Sequence, residues 1–340
     1  MTTRILVTGG AGYIGAVLVP LLLDRGYEVR VLDRLYWGAR PLAPVLARIQ
    51  LVEGDVRDVP PGVLDDVDGV IHLAGLSNDP TAEFAPVANW QMNAEATKAL
   101  AASCAARGIR RFTFGSSCSV YDSLPAGVVY DEDALLTPRG AYAGSKAQAE
   151  VFLREATSET FQPTILRQGT VFGASPRMRY DLVVNTFVRD AMRTRKLMLH
   201  GGGQMHRPLV DIRDVAEAHI RCLETPLKQV GGRTFNVLHR NIRIADVAKA
   251  VAAEFAHRGV AVEVQLAPLP SIVREYQCAN NRLTTATGFT PGRALEAVLP
   301  ELIAFVQDGH DDFDNPEYYN IDWLTPRRAE IESPVVPREA

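Results

Sequence analysis

The segment Thr8-Gly9-Gly10-Ala11-Gly12-Tyr13-Ile14-Gly15 constrains this chain more than any other. It follows an apolar run, Ile5-Leu6-Val7, and opens a helical pattern over Gly12–Gly26. Gly9 permits a tight turn, Gly12 lets the backbone approach a pyrophosphate, and Gly15 lets the helix pack close to the strand. The helix start then offers free N–H groups and the positive end of a dipole to phosphates. The next apolar run ends in Asp33, 18 residues beyond Gly15. An acid there accepts both ribose hydroxyls and repels a 2′-phosphate, which predicts NAD rather than NADP. Arg34 beside it is the one residue that argues the other way. Asp55, in Gly54-Asp55-Val56, is placed to meet the adenine amino group, a plain turn aspartate being the alternative.

The first half alternates short Val/Ile/Leu-rich runs with helical patterns. Strands are predicted at Arg4–Thr8, Glu28–Asp33, Gln50–Glu53, Gly69–Ala74, Arg111–Ser116 and Thr164–Gln168, and helices at Gly12–Gly26, Asn93–Gly108 and Ser145–Ala156. The nearly all-apolar Gly69–Leu76 reads as a strand buried on both faces. This alternation predicts an α/β chain with a doubly wound parallel sheet of Rossmann type. After Gly173 prolines and arginines interrupt the pattern, with one strand at Thr234–Leu238 and one helix at Ile244–His257. The expected division is a cofactor domain of residues 1–172 plus roughly 208–245. A smaller mixed α/β substrate domain takes 173–207 plus 246–340. The tail Asp308–Ala340 is expected to be irregular, its last residues frayed.

Lys plus Arg number 36 against 40 Asp plus Glu, a net charge of −4, which gives no electrostatic reason to expect nucleic acid or an anionic membrane. No apolar run approaches the ~20 residues of a membrane helix. The N-terminus carries no signal-peptide pattern. Cys104, Cys118, Cys222 and Cys278 form no CxxC pair, and the histidines show no metal spacing, so reduced thiols, a cytoplasmic location and no metal site are expected.

Tyr142 and Lys146 stand four apart, on one face of a helix. An ammonium near a phenol lowers its pKa, and a phenol so tuned can take a proton from a hydroxyl and return it to a ketone. Gly115-Ser116-Ser117-Cys118-Ser119-Val120-Tyr121 ends the fifth strand, at the sheet edge where ligands of open parallel sheets bind. TGGAGYIG, Asp33, His72–Gly75 (HLAG), SSCSVY, the Tyr142/Lys146 pair and Leu166–Gly173 (LRQGTVFG) together resemble the extended short-chain dehydrogenase/reductases. More narrowly they resemble the NAD-dependent epimerase/dehydratase family that acts on nucleotide sugars. The resemblance continues through Arg207–Val215 and, weakly, Thr287–Pro291.

The resemblance implies roles at matching positions. Tyr142 is the general base and acid, Lys146 tunes it and binds the nicotinamide ribose, and Ser117 holds the reacting oxygen. Tyr13 and Ile14 lend backbone N–H groups to the pyrophosphate. Leu73, Ala74 and Gly75 line the nicotinamide half, and Asn93 and Ser116 lie near the cofactor with Val56. Ser119, Asn185, Arg207 and Arg274 are the substrate candidates, and Arg177, Arg179 and Arg189 form a basic trio suited to a diphosphate. A homodimer through the Asn93–Gly108 and Ser145–Ala156 helices is also implied. The chain departs from the family pattern where dehydratases carry an Asp-Glu pair: here stand Cys118 and Ser119. Decarboxylases keep a glutamate at the second of these places, and 3,5-epimerases and epimerase–reductases a cysteine; Cys118 lies one place early and reads as a buried small hydrophobe. Elimination of water would need another acid, Asp79 or Glu83. The reading is therefore NAD-dependent epimerisation of a nucleotide sugar, at C4. The alternatives are a 4-ketoreductase or dehydratase, and a cofactor-sensing regulator, which would have no use for Tyr142.

Overall fold

The computed structural model describes residues 3–269 and 274–333. Seven strands form one parallel sheet: β1 (Arg4–Thr8), β2 (Glu28–Asp33), β3 (Ile49–Glu53), β4 (Gly69–His72), β5 (Arg111–Ser117), β6 (Gln162–Gln168) and β7 (Thr234–Val237). Their order is β7-β6-β5-β4-β1-β2-β3, so the direction of winding reverses between β1 and β4. The crevice at that reversal, beyond the carboxyl ends of the strands, is where such sheets bind ligands.

The period of two along β1 sorts its side chains. Ile5 and Val7 face α1 (Gly15–Asp24), with Leu18 and Leu22 in one cluster, whereas Leu6 faces Leu100 and Phe112 in another. α2 (Ala96–Ala106) and α3 (Ala141–Glu155) cover that second face. α4 (Val183–Arg193) belongs to the other part of the molecule, while α5 (Ile212–Glu224) returns beside α1 through Ala216, Ile220 and Leu223. All four residues of β4 are buried, as its apolar run predicts.

The second part is built around α4, α6 (Ile244–His257) and α7 (Leu295–Gln307), which share one core cluster with Phe172, Leu197 and Leu209. A three-stranded sheet joins Thr170–Phe172, His206–Asp211 and Arg240–Arg243, and a pair joins Lys196–His200 to Glu263–Ala267. α4 and α7 are not among the helices read from the sequence; α7 carries a proline, Pro300, in its interior.

Several boundaries differ from expectation by a few residues, and one segment differs in kind. α3 starts at Ala141 rather than Ser145, because Gly140 before it is extended at ψ 150°. The tail is not irregular: Asn320–Leu324 and Arg328–Glu332 are short helices whose Leu324 and Ile331 bury against Leu76, Ala88 and Met92. The frayed end expected of this tail lies outside the described residues.

Candidate active site

The glycine turn has the shape its spacing implies. Gly9 has φ +75°, and a Cβ on it would stand 2.7 Å from the Ala74 nitrogen. A Cβ on Gly15 would come within 2.3 Å of the Gly9 carbonyl oxygen, so the turn closes only with glycine at both places. Asp33 braces the same turn, its Oδ2 accepting from Ala11 N at 2.9 Å and its Oδ1 from Leu35 N at 2.8 Å. Burial pushes its carboxyl upward, and the two backbone N–H groups oppose that. Each oxygen keeps acceptor capacity for a ribose hydroxyl. Arg34 is not free to meet a 2′-phosphate, because its guanidinium pairs with Asp55. Arg57 also grips Asp55, at 2.7 Å. Burial would raise the Asp55 carboxyl, but the two arginines hold it below the ordinary range.

A cleft with about 1040 Å³ of empty space runs over this turn. It gathers Gly9, Gly12, Tyr13, Ile14, Gly15, Asp33, Arg34, Asp55, Val56, Leu73, Ala74 and Gly75, all named from the sequence. It also holds residues the sequence did not flag as cofactor contacts. Tyr36 and Trp37 line it, and the Tyr36 hydroxyl and Trp37 indole N–H are buried without a partner among the described residues. Unpartnered donors over a phosphate-binding turn fit a polar dinucleotide. Asn320 and Leu324 line it from the far end of the chain. Arg177, whose Nη2 donates to Asn320 and whose guanidinium lies 3.9 Å over the Trp37 ring, and Arg179 also face this cleft. Burial pulls Arg177 down to about 9. Arg189, the third of the trio, pairs instead with Asp190.

The catalytic candidates meet where β5 ends and α3 begins. Ser117 lies close enough to the Tyr142 phenol to pull its pKa down, and its hydroxyl accepts from Ser119 N at 3.1 Å. Lys146 lies on the same helix face, but its Nζ donates to the Gly115 carbonyl at 2.9 Å and sits 4.7 Å over the Phe114 ring. Lys146 is not among the groups that set the Tyr142 phenol here. Tyr142 is pushed up to about 12, first by burial and then by the Asp79 charge, while Arg179 and Ser117 pull the other way. Lys146 is committed to a strand carbonyl, and burial pulls it down to about 8.

Other named residues have mixed placements. Ser116 is 2% exposed, and its hydroxyl donates to Glu150 at 2.6 Å, so it does not line the cleft. The Asn93 amide nitrogen donates to Leu76 O and Asn89 Oδ1, within reach of Ser145 Oγ, and its Oδ1 is buried without a donor. Asn185 is fully buried; it accepts from Gly173 N and donates to Arg179 O and the Tyr13 hydroxyl, tying the 173–179 segment to the turn. The Ser119 hydroxyl is buried without a partner among the described residues. Cys118 is buried, its Sγ 3.1 Å from Arg167 O, which keeps it out of the site as expected. Arg207 donates to the carbonyls of His206 and Arg274, and Arg274 pairs with Asp79.

The NAD dependent epimerase/dehydratase family matches residues 5–237. This chain belongs to that family. Its cofactor is accordingly NAD, and the cleft over Gly9–Gly15 and Asp33 fits it. A UDP-glucose 4-epimerase of Azospirillum brasilense is 32% identical over 67% of this family member and 70% of its own length. A dTDP-glucose 4,6-dehydratase of Streptomyces niveus is 26% identical over 90% and 93%. Among solved structures, an NAD-dependent NDP-hexosamine 5,6-dehydratase superposes with a TM-score of 0.78 at 26% identity, covering 89% of this chain and 97% of that one. Among the described residues no helix is long and apolar enough to cross a membrane.

Proposed function

We propose that this family member interconverts two nucleotide sugars that differ in configuration at C4. The observation that carries this reading is that Tyr142 at the start of α3 stands near Ser117 at the end of β5, with Cys118 and Ser119 where related dehydratases hold an acid pair. Sequence similarity to UDP-glucose 4-epimerases supports it. The cleft over Gly9–Gly15 and Asp33 would hold NAD, which would supply a reversible hydride store for the sugar carbon. The glycine turn and Asp33 hold it, with Tyr36 and Trp37 supplying donors.

Tyr142 then needs only to move one proton. As a phenolate it takes the C4 hydroxyl proton when the hydride leaves, and as a phenol it gives that proton back when the hydride returns, with Ser117 beside the same oxygen. Lys146, anchored on Gly115, holds the floor of the site rather than the charge of the phenol. Arg207, which burial holds below the ordinary guanidinium range, is our candidate for the diphosphate clamp, Arg274 being held by Asp79. Binding at this remote diphosphate supplies energy that orients the ring at the reacting carbon.

The test is incubation with UDP-, dTDP-, GDP- and CDP-sugars deuterated at C4, followed by proton NMR and mass spectrometry. The expected product keeps its mass and its deuterium at C4, with inverted configuration. Loss of 18 mass units would establish dehydration instead, and a demand for added NADH would establish a reductase.

A further inference from the structure

Asp79 opens the short helix Asp79–Phe84 just beyond β4, and its carboxylate is buried. Its Oδ2 is gripped by the Arg274 guanidinium, whose Nε also faces Asp122 at 3.8 Å. Its Oδ1 is shut off from solvent and has no donor among the described residues. Buried carboxylate oxygens almost always find a donor, in the protein, in water or in a ligand.

The surroundings of Oδ1 point toward the reacting centre. Gly140, from which α3 starts, makes room for it: a Cβ there would stand 3.0 Å away. Tyr142 lies two residues on, and the Asp79 charge acts on its phenol. Asn78, immediately before Asp79, is held at φ 74°, ψ 161°, a region that only glycine adopts without strain. Hydrogen bonds from Asn78 Nδ2 to Asp181 Oδ2 at 2.8 Å and from Thr81 N to Asn78 Oδ1 at 3.0 Å keep it there. Glu83, the other acid after β4, is exposed.

We propose that Asp79, backed by Arg274, accepts a hydrogen bond from a hydroxyl or amino group of the sugar ring, beside the oxygen that Tyr142 handles. The proposal rests on the nucleotide-sugar reading above. It makes Asp79 a specificity residue: a sugar carrying a donor next to the reacting carbon satisfies Oδ1, and a ring deoxygenated there leaves it bare.

The test uses the NAD-loaded enzyme and its Asp79→Asn and Gly140→Ala variants, titrated by calorimetry with UDP, UDP-glucose and UDP-galactose and with their dTDP counterparts. Thermal unfolding and NAD affinity are recorded as checks on the fold. Asp79→Asn is expected to weaken the nucleotide sugars at least tenfold while leaving the free nucleoside diphosphates within twofold. Gly140→Ala, which crowds Oδ1 and spares the carboxylate, is expected to give the same pattern at smaller size. The proposal is overturned if sugar and diphosphate affinities fall together, if neither changes, or if the wild type binds no sugar more tightly than its diphosphate. Sugar-selective loss without any C4 epimer as product would overturn the epimerase reading alone. C4 epimerisation by the wild type, with Asp79→Asn binding every nucleotide sugar as tightly as the wild type does, would overturn this proposal alone.

Discussion

Tyr142 and Ser117 are the residues on which turnover should depend most directly. Tyr142→Phe removes one hydroxyl and leaves the ring, so packing and NAD binding should survive while turnover falls by about 10²–10⁴-fold. Steady-state rates on the identified sugar check this, and near-normal turnover would move proton transfer to another group. A second residue-scale prediction concerns His72 and His219, which are fully buried and pulled down to about 3, burial being the main cause. His219 is held neutral between Thr113 Oγ1 at 2.8 Å and Gln168 Nε2 at 3.0 Å. The unfolded chain protonates each near pH 6.5 while the folded chain does not, so stability is lost as pH falls below 6.5. Each should contribute about 1.4 kcal/mol of loss per pH unit in that window. Denaturant unfolding at pH 6.5 and 5 should show His219→Gln losing about 2 kcal/mol less than the wild type. An unchanged pH slope would refute the assignment.

At the scale of elements, α3 presents Tyr142 at one end and is locked to the sheet at the other. Glu150, fully buried, accepts from Ser116 on β5 at 2.6 Å and from Arg167 on β6 at 2.7 Å. Glu150→Ala leaves the Arg167 guanidinium buried without its main partner and should cost about 3–5 kcal/mol of stability. Unfolding curves test this, and a loss below 1 kcal/mol would show that the network relaxes around the gap. The tail helix Asn320–Leu324 is the other element with a defined task. Leu324 is fully buried and lines the cofactor cleft, and Trp323 Nε1 ties the helix to Tyr36 O at 2.7 Å. Leu324→Asp forces a charge into that wall and should weaken NAD binding about tenfold or more, as calorimetry would show. Unaltered affinity would place the tail outside the cofactor site.

For the whole molecule, the outer faces of α2 and α3 leave Ala99, Ala102 and Val151 exposed beside Lys98, with no cover among the described residues. A homodimer through these helices predicts light scattering at twice 37.2 kDa, and a monomer would refute it. Much of this architecture was legible without coordinates. Period-two and period-3.6 patterns are local, so β1, β2, α1 and the whole cofactor turn could be read from residues a few places apart. The same holds for Tyr142 and Lys146, whose shared face follows from one helical turn. What required the tertiary structure were contacts between distant segments. Arg34 is taken up by Asp55 and Lys146 by a strand carbonyl, while burial and the Asp79 charge, neither readable from spacing, raise the Tyr142 phenol. Asn320 and Leu324 reach the cofactor cleft from about 300 residues beyond the glycine turn, and Asp79 meets Arg274 across 195 residues. Charge and burial act through space, and spacing along a chain carries no record of which side chain arrives beside which.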